Sequence, residues 1–347
     1  MRLSLLVEKP AHHNALALVF IASALLLVLL FFDLWAGIRG TMTEAIASLP
    51  PISDVPDSLK TFPRQILFAP AFYVMVAGIM LLEVFIPAKP EQRLFSAALL
   101  QDFVWHLLQL WVFFAILGSF IQLLRALYDA YLSFLTIRVL EGWPSIWLTL
   151  LAVLVSDFVA WLHHLIRHKV RCLWFFHAVH HSQPHLNAWT DSRYHLVDYL
   201  EAELVRFLPL FMLQISTPFI VAFGFLGGWY TRLCHANIGS NFGFLRYVLV
   251  TPQSHRVHHS AEPAHQDQNF GVLLSLWDHL FRTQCRAYDV YPDTGVNEKD
   301  FPLETDWKSV LSLRPILAQQ WYPFTRIWRS VKQNSVDQSA LLPVTQK

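Results

Sequence analysis

The sequence predicts an all-α protein: a multi-pass membrane helix bundle of about four spans plus a re-entrant helical hairpin, with a cytosolic histidine-rich helical cap. Three observations predict this fold class. Hydrophobic residues form 54% of the chain and charged residues only 15%, against about 25% charged residues in soluble domains. Several apolar segments approach or exceed the roughly 20 residues that a helix needs to cross a bilayer. The chain also has 17 histidines, most of them in its second half.

Four segments are predicted to be the spans, because each is apolar over about the width of a bilayer. A signal peptide is the alternative for the first segment. No small-residue cleavage site follows it, however, since Asp33, Leu34 and Trp35 come next. Pro70 inside the second segment is tolerable in a membrane helix. The four segments are 15–32, 65–82, 103–124 and 145–166.

The basic residues predict which side of the membrane the later part of the chain occupies. Arg167, Lys169 and Arg171 directly follow the fourth predicted span, and positive charge favours the cytoplasmic side. Four spans then place the N-terminus, with Arg2 and Lys9, in the cytosol as well.

Charge and cysteine content exclude two other classes of protein. The net charge is +1, so the sequence predicts no nucleic-acid partner, which would require extended basic clusters. Cys172, Cys234 and Cys285 are far apart and form no CxxC pair. Neither a disulfide framework nor a cysteine zinc site is therefore predicted.

Three short histidine clusters indicate a metal site. HLIRH has two histidines at i and i+4, and HAVHH and HRVHH each have three at i, i+3 and i+4. On a helix these positions share one face. Eight potential ligands are too many for one tetrahedral zinc but suit two metals of higher coordination number, and imidazole binds iron, copper, nickel and zinc alike. The eight are His164, His168, His177, His180, His181, His255, His258 and His259.

The surroundings of these clusters resemble the fatty acid hydroxylase/sterol desaturase superfamily, the membrane histidine-box di-iron oxygenases. HLIRHKVRCLWFFHAVHHS, TPQSHRVHHS and NFGVLLSLWDHLFRT follow the family's HxxxH, HxxHH and HxxHH boxes in order, with its W-D-x-x-F-x-T stretch after the last. The resemblance covers about residues 145–290. It implies that the eight histidines ligate two iron ions, that O2 is a co-substrate, and that the substrate is a membrane lipid: a sterol, fatty acyl chain, sphingolipid, carotenoid or ether lipid.

The same resemblance adds two histidines to the candidate site. His235, in HANIG, matches the position of a further ligand between the second and third boxes. His195, in RYH, also matches a family position, as a ligand, a group that orients a ligand, or a simple polar contact. No catalytic residue is predicted beyond the metal centre. Asp157, Asn237 and Asp278 are candidates for orienting a histidine through its free ring N–H, although a helix cap or salt bridge explains Asp278 equally well.

An apolar segment, 207–231, separates the second box from the third. All three boxes must lie on one side of the bilayer to share metals, because its hydrocarbon core is about 30 Å thick. The segment is therefore predicted to enter the membrane and return. Pro209, Pro218, Gly227 and Gly228 supply places to bend.

The chain is predicted to divide into three regions. Residues 1–144 form an N-terminal transmembrane region, 145–290 a catalytic domain like that of the superfamily, and 291–347 a C-terminal interfacial segment and tail. Trp321, Phe324 and Trp328 lie beside Arg326 and Arg329 in the last region. Aromatic and basic residues together are typical of an anchor at the membrane surface.

Reaction and partners are predicted only in outline. Either hydroxylation or desaturation fits the ligand set. Gly224, Gly227 and Gly228 do not follow a strand, so they are not a dinucleotide fingerprint, and electrons must come from a separate cytochrome or ferredoxin with its reductase. Two alternatives stay open: a zinc-loaded or non-oxidative relative, and a metal transporter, which would need histidines and carboxylates near the midplane of several spans.

Overall fold

The computed structural model describes residues 70–112, 118–140, 142–215, 217–303 and 312–340. These residues are mainly helical and form no strand, and isolated bridges such as Pro87 with Ile238 join their loops. The described part of the chain therefore has the predicted all-α class.

The first helices overlap two of the predicted spans. Helix α1 is Pro70–Phe85, α2 is Ala97–Val112 and α3 is Gly118–Leu127. The second predicted span ends within α1, and the third corresponds to α2 and α3. The first predicted span, 15–32, lies outside the described residues.

The fourth predicted span is a single long helix, α4, at Ser145–Lys169. Its part Ile146–Lys169 is long and apolar enough to cross a membrane, and no other helix of the described residues meets both conditions. Val170 has an extended backbone and ends α4, and α5 begins at once as Arg171–His181. The first and second histidine boxes therefore lie on two helices joined by one residue.

The apolar segment between the second and third boxes is broken between Met212 and Thr217, next to Pro218, whereas Gly227 and Gly228, also predicted to bend it, lie inside a helix. Helix α6 is Leu196–Met212, with Pro209 inside it, and α7 is Thr217–His235. Gln214, between them, has a left-handed backbone with φ 54°. The segment 207–231 is thus parts of two helices, while its path relative to a membrane stays a prediction.

The third histidine box lies on a short helix, α8, at Pro252–His258. A capping box starts it: Thr251 Oγ1 accepts from Ser254 N at 3.0 Å, and Ser254 Oγ accepts from Thr251 N at 2.9 Å. Pro252 at the first helical position reinforces this start. Local sequence therefore determines where the third box becomes helical.

Two further helices complete the described chain: α9 at Leu276–Phe281 and α10 at Arg314–Ala340. Helix α4 packs against α5 and α6, α7 against α8, and α10 against α5. This packing brings the end of α4, the helix α5, the end of α7 and the helix α8 around one interior volume.

Candidate metal centre

Nine histidines from four helices and their ends meet in the interior as two groups. Within each group, one ring nitrogen from every member lies within 4.8 Å of those of the others. The first group is His164, His168, His177, His181 and His258. The second group is His180, His235, His255 and His259.

The boxes divide between the groups by helical position. In the second box, His177 and His181 at i and i+4 join the first group, and His180 at i+3 joins the second. The third box does the reverse: His255 and His259 join the second group, and His258 joins the first. Each HxxHH helix therefore contributes ligand atoms to both groups.

Five of the rings are held by a hydrogen bond at Nδ1, which directs Nε2 towards the group. A carbonyl oxygen only accepts, so Nδ1 carries the proton in four of them. The bonds run from His164 to Phe270 O at 2.9 Å, His258 to Gln268 O at 2.9 Å, His180 to Arg193 O at 3.2 Å, His235 to Thr231 O at 2.7 Å, and His177 to Asp198 Oδ2 at 3.1 Å.

The facing nitrogens indicate that each group fits a cation. His180 Nε2 and His235 Nε2 lie 3.0 Å apart, and both rings already carry their proton on Nδ1. Two bare lone pairs at this distance repel each other unless a positive charge lies between or beside them. In the first group, the buried Nε2 atoms of His168, His181 and His258 also have no hydrogen-bond partner in the described chain. In the second group, His255 Nε2 lies 2.9 Å from His235 Nε2 and 3.1 Å from His259 Nε2.

Burial keeps these imidazoles neutral, the form that binds metals. Burial, followed by the positive charge of Arg167, lowers the pKa of His177 well below its usual value. Burial also lowers the pKa of His258, to about 4. The pKa values of four others are lowered well below the usual range by burial first: His180, His181, His255 and His259.

Two buried ion pairs beside the groups were missed by the sequence reasoning. Arg167 Nη1 contacts Asp198 Oδ1 at 3.1 Å, and Arg232 Nη1 contacts Asp191 Oδ2 at 3.1 Å. Asp191 also lies 3.5 Å from His235 Nδ1. One signal was available for Arg167, because it follows the first histidine of HLIRH by three residues and so shares its helix face.

The three polar residues expected to orient histidines have other partners. Asp157 accepts from Leu273 N at 2.9 Å, Leu274 N at 3.1 Å and Trp277 Nε1 at 2.9 Å. Asn237 Oδ1 accepts from Lys89 N at 2.9 Å and Arg256 Nη2 at 3.0 Å. No described hydrogen bond joins Asp157, Asn237 or Asp278 to a histidine ring. The free ring N–H groups point instead to backbone carbonyls and Asp198, which sequence spacing does not reveal.

Asp278 acts on the site through the backbone. Its carboxylate accepts from Phe270 N at 2.9 Å, Gly271 N at 2.7 Å, Trp161 Nε1 at 2.9 Å and Thr283 Oγ1 at 2.6 Å. The Phe270 carbonyl in turn accepts from a histidine of the first group. The W-D-x-x-F-x-T stretch therefore holds in place the loop that orients that ring.

His195 is in neither group. Its Nδ1 accepts from Val197 N at 3.0 Å, which caps the start of α6, and its Nε2 donates to Gln320 O at 2.7 Å. Both ring nitrogens are thus used, and the ring connects α6 with α10. Of the possibilities open for His195, this geometry corresponds to a polar contact that caps a helix.

A small cavity of about 40 Å³ lies at the two groups, lined by five of the nine histidines. Tyr194, Thr231, Cys234 and Val272 also line it. On this measure a cavity needs at least about 10–15 Å³ to hold one water molecule, so the volume suits small molecules such as water or O2. A larger cavity of about 320 Å³, beside Lys89 and Arg256, is lined by none of the nine histidines.

The region that contains these histidines is similar to known proteins. A model of the fatty acid hydroxylase family matches residues 149–283. The ornithine lipid hydroxylase OlsE of Rhizobium tropici is 31% identical over 143 residues, 41% of this chain and 43% of that protein. The alkylglycerol monooxygenase of Caenorhabditis elegans is 29% identical over 168 residues, 47% and 33% of the two chains. The human alkylglycerol monooxygenase is 30% identical over 146 residues, 41% and 31%.

The chain therefore spans less than half the length of each of these relatives. No solved structure matches it. The matched region begins within α4 and ends just after α9, so it includes all nine grouped histidines.

Proposed function

Because this chain belongs to the fatty acid hydroxylase/sterol desaturase superfamily through residues 149–283, we propose that it is a membrane-bound oxidoreductase that hydroxylates or desaturates a lipid with O2 at a di-iron centre. The observation that carries the proposal is the pair of buried histidine groups with converging bare nitrogens. The names of the relatives, lipid hydroxylases and monooxygenases, support a lipid substrate.

Each group would hold one iron. The first would be held by His164, His168, His177, His181 and His258, and the second by His180, His235, His255 and His259. Iron would supply the redox chemistry with O2 that attack on an unactivated C–H bond requires and that zinc lacks.

The protein's own residues would orient the metal ligands and exclude water. Hydrogen bonds at Nδ1 hold the rings so that Nε2 faces the metal. His177 and His259 are almost completely buried, so bulk water has little access to the centre. Thr231, Cys234 and Val272 line the cavity and would limit the size of any group that enters it.

Electrons would come from a separate protein, a cytochrome or a ferredoxin with its reductase. The sequence contains no dinucleotide fingerprint. Purified protein should therefore consume no O2 with NADPH and lipid alone, and should begin to do so when a donor system is added. Steady turnover with NADPH alone would contradict this part of the proposal.

The protein would be an integral membrane protein with its histidine boxes facing the cytosol. Helix α4 supports this, since its part Ile146–Lys169 is long and apolar enough to span a membrane. The basic residues at and just beyond its end, Arg167, Lys169 and Arg171, support the orientation. A lipid substrate would then reach the centre from the bilayer.

The experiment that tests the function measures metal and oxygen together. The full chain is expressed in iron-rich medium and purified in detergent, and its metals are determined by elemental analysis. O2 uptake is then followed with a membrane lipid extract and a ferredoxin system, and products are identified by mass spectrometry.

We expect about two irons per chain and lipid-dependent O2 uptake that His259→Ala abolishes. Tightly bound zinc without O2 uptake would indicate the non-oxidative alternative. Metal uptake into sealed vesicles without lipid oxidation would indicate a transporter. Either result would refute the proposed function.

A further inference from the structure

One histidine of the first group, His177, has a tautomer that the backbone does not determine. Its Nδ1 faces an acceptor and a donor together: Asp198 Oδ2 at 3.1 Å and Arg167 Nη1 at 3.2 Å. The other four anchored rings each face a carbonyl, which only accepts. All three side chains are at least nine-tenths buried, so water does not compete for these bonds.

Two arrangements of protons satisfy the same positions of the heavy atoms. In one, His177 Nδ1 donates to Asp198, and Nε2 is bare and free to bind a metal. In the other, Arg167 donates to Nδ1, and the proton lies on Nε2, 3.1 Å from His164 Nε2. His164 carries its own proton on Nδ1, so its bare Nε2 would accept that proton. The second arrangement removes both nitrogens from metal binding.

We propose that Asp198 is the positioning residue that selects the metal-binding tautomer of His177, and that Arg167 opposes this choice. The inference rests on the proposed function, since it concerns the same metals. Asp198 attracts the proton to Nδ1 through its charge and a direct hydrogen bond. Arg167 neutralises the buried carboxylate at 3.1 Å, but its N–H competes for the same ring nitrogen.

The second group contains an ion pair of similar composition with a different consequence. Asp191 pairs with Arg232 and lies 3.5 Å from His235 Nδ1. That Nδ1 already donates to Thr231 O at 2.7 Å. The tautomer of His235 is therefore determined by its own helix, and removal of the Asp191 charge should affect metal binding much less than removal of the Asp198 charge.

The test is a Co²⁺ titration of the full chain in detergent, after its metals are removed with a chelator. Wild type should bind two Co²⁺, seen in the visible absorption bands. Asp198→Asn should weaken one site about 10- to 100-fold, and Asp191→Asn should weaken its site by less than about 10-fold. Arg167→Met breaks the same ion pair as Asp198→Asn but removes the competing donor, so it should bind both Co²⁺ at least as tightly as wild type.

A matched control comes from the same helix. Glu203 is a buried carboxylate of α6 that pairs with Arg206, and Glu203→Gln should keep both sites. Asp198→Asn combined with His168→Ala should lose little more than His168→Ala alone, because both changes affect the first group. Combined with His259→Ala, from the second group, it should weaken both sites.

The result that overturns the inference is equal Co²⁺ loss in Asp198→Asn and Arg167→Met, which a merely structural ion pair would cause. Wild-type affinity at both sites in Asp198→Asn would overturn it as well. If Asp198→Asn does not fold, Arg167→Met decides alone, and a 10-fold weaker site in that variant refutes the opposing role. Failure of wild type to bind two Co²⁺ would instead refute the proposed function.

Discussion

Gly271 should be one of the least replaceable glycines near the candidate metal centre. A Cβ atom at this position would lie 2.7 Å from Val250 Cγ2, 2.8 Å from Leu274 O and 2.9 Å from Asp278 Oδ2. One neighbour is backbone and another is a carboxylate held by four hydrogen bonds, so neither can move easily. Gly271→Ala should therefore displace the loop whose Phe270 carbonyl orients a ring of the first group.

The size of the effect follows from two contributions. Overpacking a close-packed site costs about 1–3 kcal/mol. Displacement of Asp278 also weakens the bonds that it accepts from Phe270 N and Gly271 N, and each hydrogen bond to a charged group contributes about 1.5–3 kcal/mol. Partial loss of these bonds gives a total of about 2–4 kcal/mol. The chain has 347 residues, and an unfolding entropy of about 2.1 cal/mol/K per residue gives about 0.7 kcal/mol/K. The unfolding midpoint should therefore fall by about 3–6 °C.

The assay is thermal unfolding in detergent, followed by tryptophan fluorescence, together with elemental analysis of bound metal. Gly227→Ala is the matched control, because no atom lies within 4 Å of a Cβ atom at that position. Alanine is also more favourable than glycine in the interior of a helix. The control should unfold at or above the wild-type temperature. Equal midpoints and equal metal content for Gly271→Ala and wild type would refute the reasoning.

Three further predictions concern the metals, the loop and the membrane. His259→Ala should leave about one metal per chain by elemental analysis, since this residue belongs to the second group alone. Retention of two metals would show that His259 is not a ligand. Asp157→Asn should lower the unfolding midpoint but keep the metal content of the folded fraction, because its carboxylate binds the loop residues Leu273 and Leu274 and Trp277 of α9. Metal loss without destabilisation would contradict this. Single cysteines can be introduced at the exposed positions His185 and Glu262, and at Ser53, after the native cysteines are removed. The cysteines at His185 and Glu262 should be labelled from one side of the membrane, and the cysteine at Ser53 from the other side. Labelling of His185 and Glu262 from opposite sides would contradict the proposal of a single metal centre.

Much of the candidate site could be predicted from the sequence, because ligand spacing is a local property. The i, i+3 and i+4 positions of the boxes select eight of the residues, and the family resemblance adds His235. All nine lie in the two groups. A break in the apolar segment was also predictable from Pro218, the second residue of α7, although Pro209 lies inside α6. The number of membrane spans stays a prediction, because 15–32 and part of 65–82 lie outside the described residues.

The residues that hold the rings could not be predicted, because they come from distant parts of the chain. Asp157 looked like a partner for the first box, yet its carboxylate binds backbone about 116 residues away. The carboxylate of Asp198 does contact a histidine ring, that of His177, which lies 21 residues earlier in the chain. Both are buried acids on helices, and nothing local distinguishes them. Only the packing of α4 against α6, and of the 270–275 loop and the start of α9 against α4, separates their roles.

The sequence by itself determined which nine histidines come together, and the tertiary structure decided which of them share a group. On a helix, i and i+4 differ by about 40° in direction and i+3 and i+4 by about 100°. A pair such as His177 and His181 can therefore converge on one point, while His180 points to another. Which point belongs to which group depends on how α5 and α8 lie against each other, and that arrangement is set by the packing of the whole chain around them.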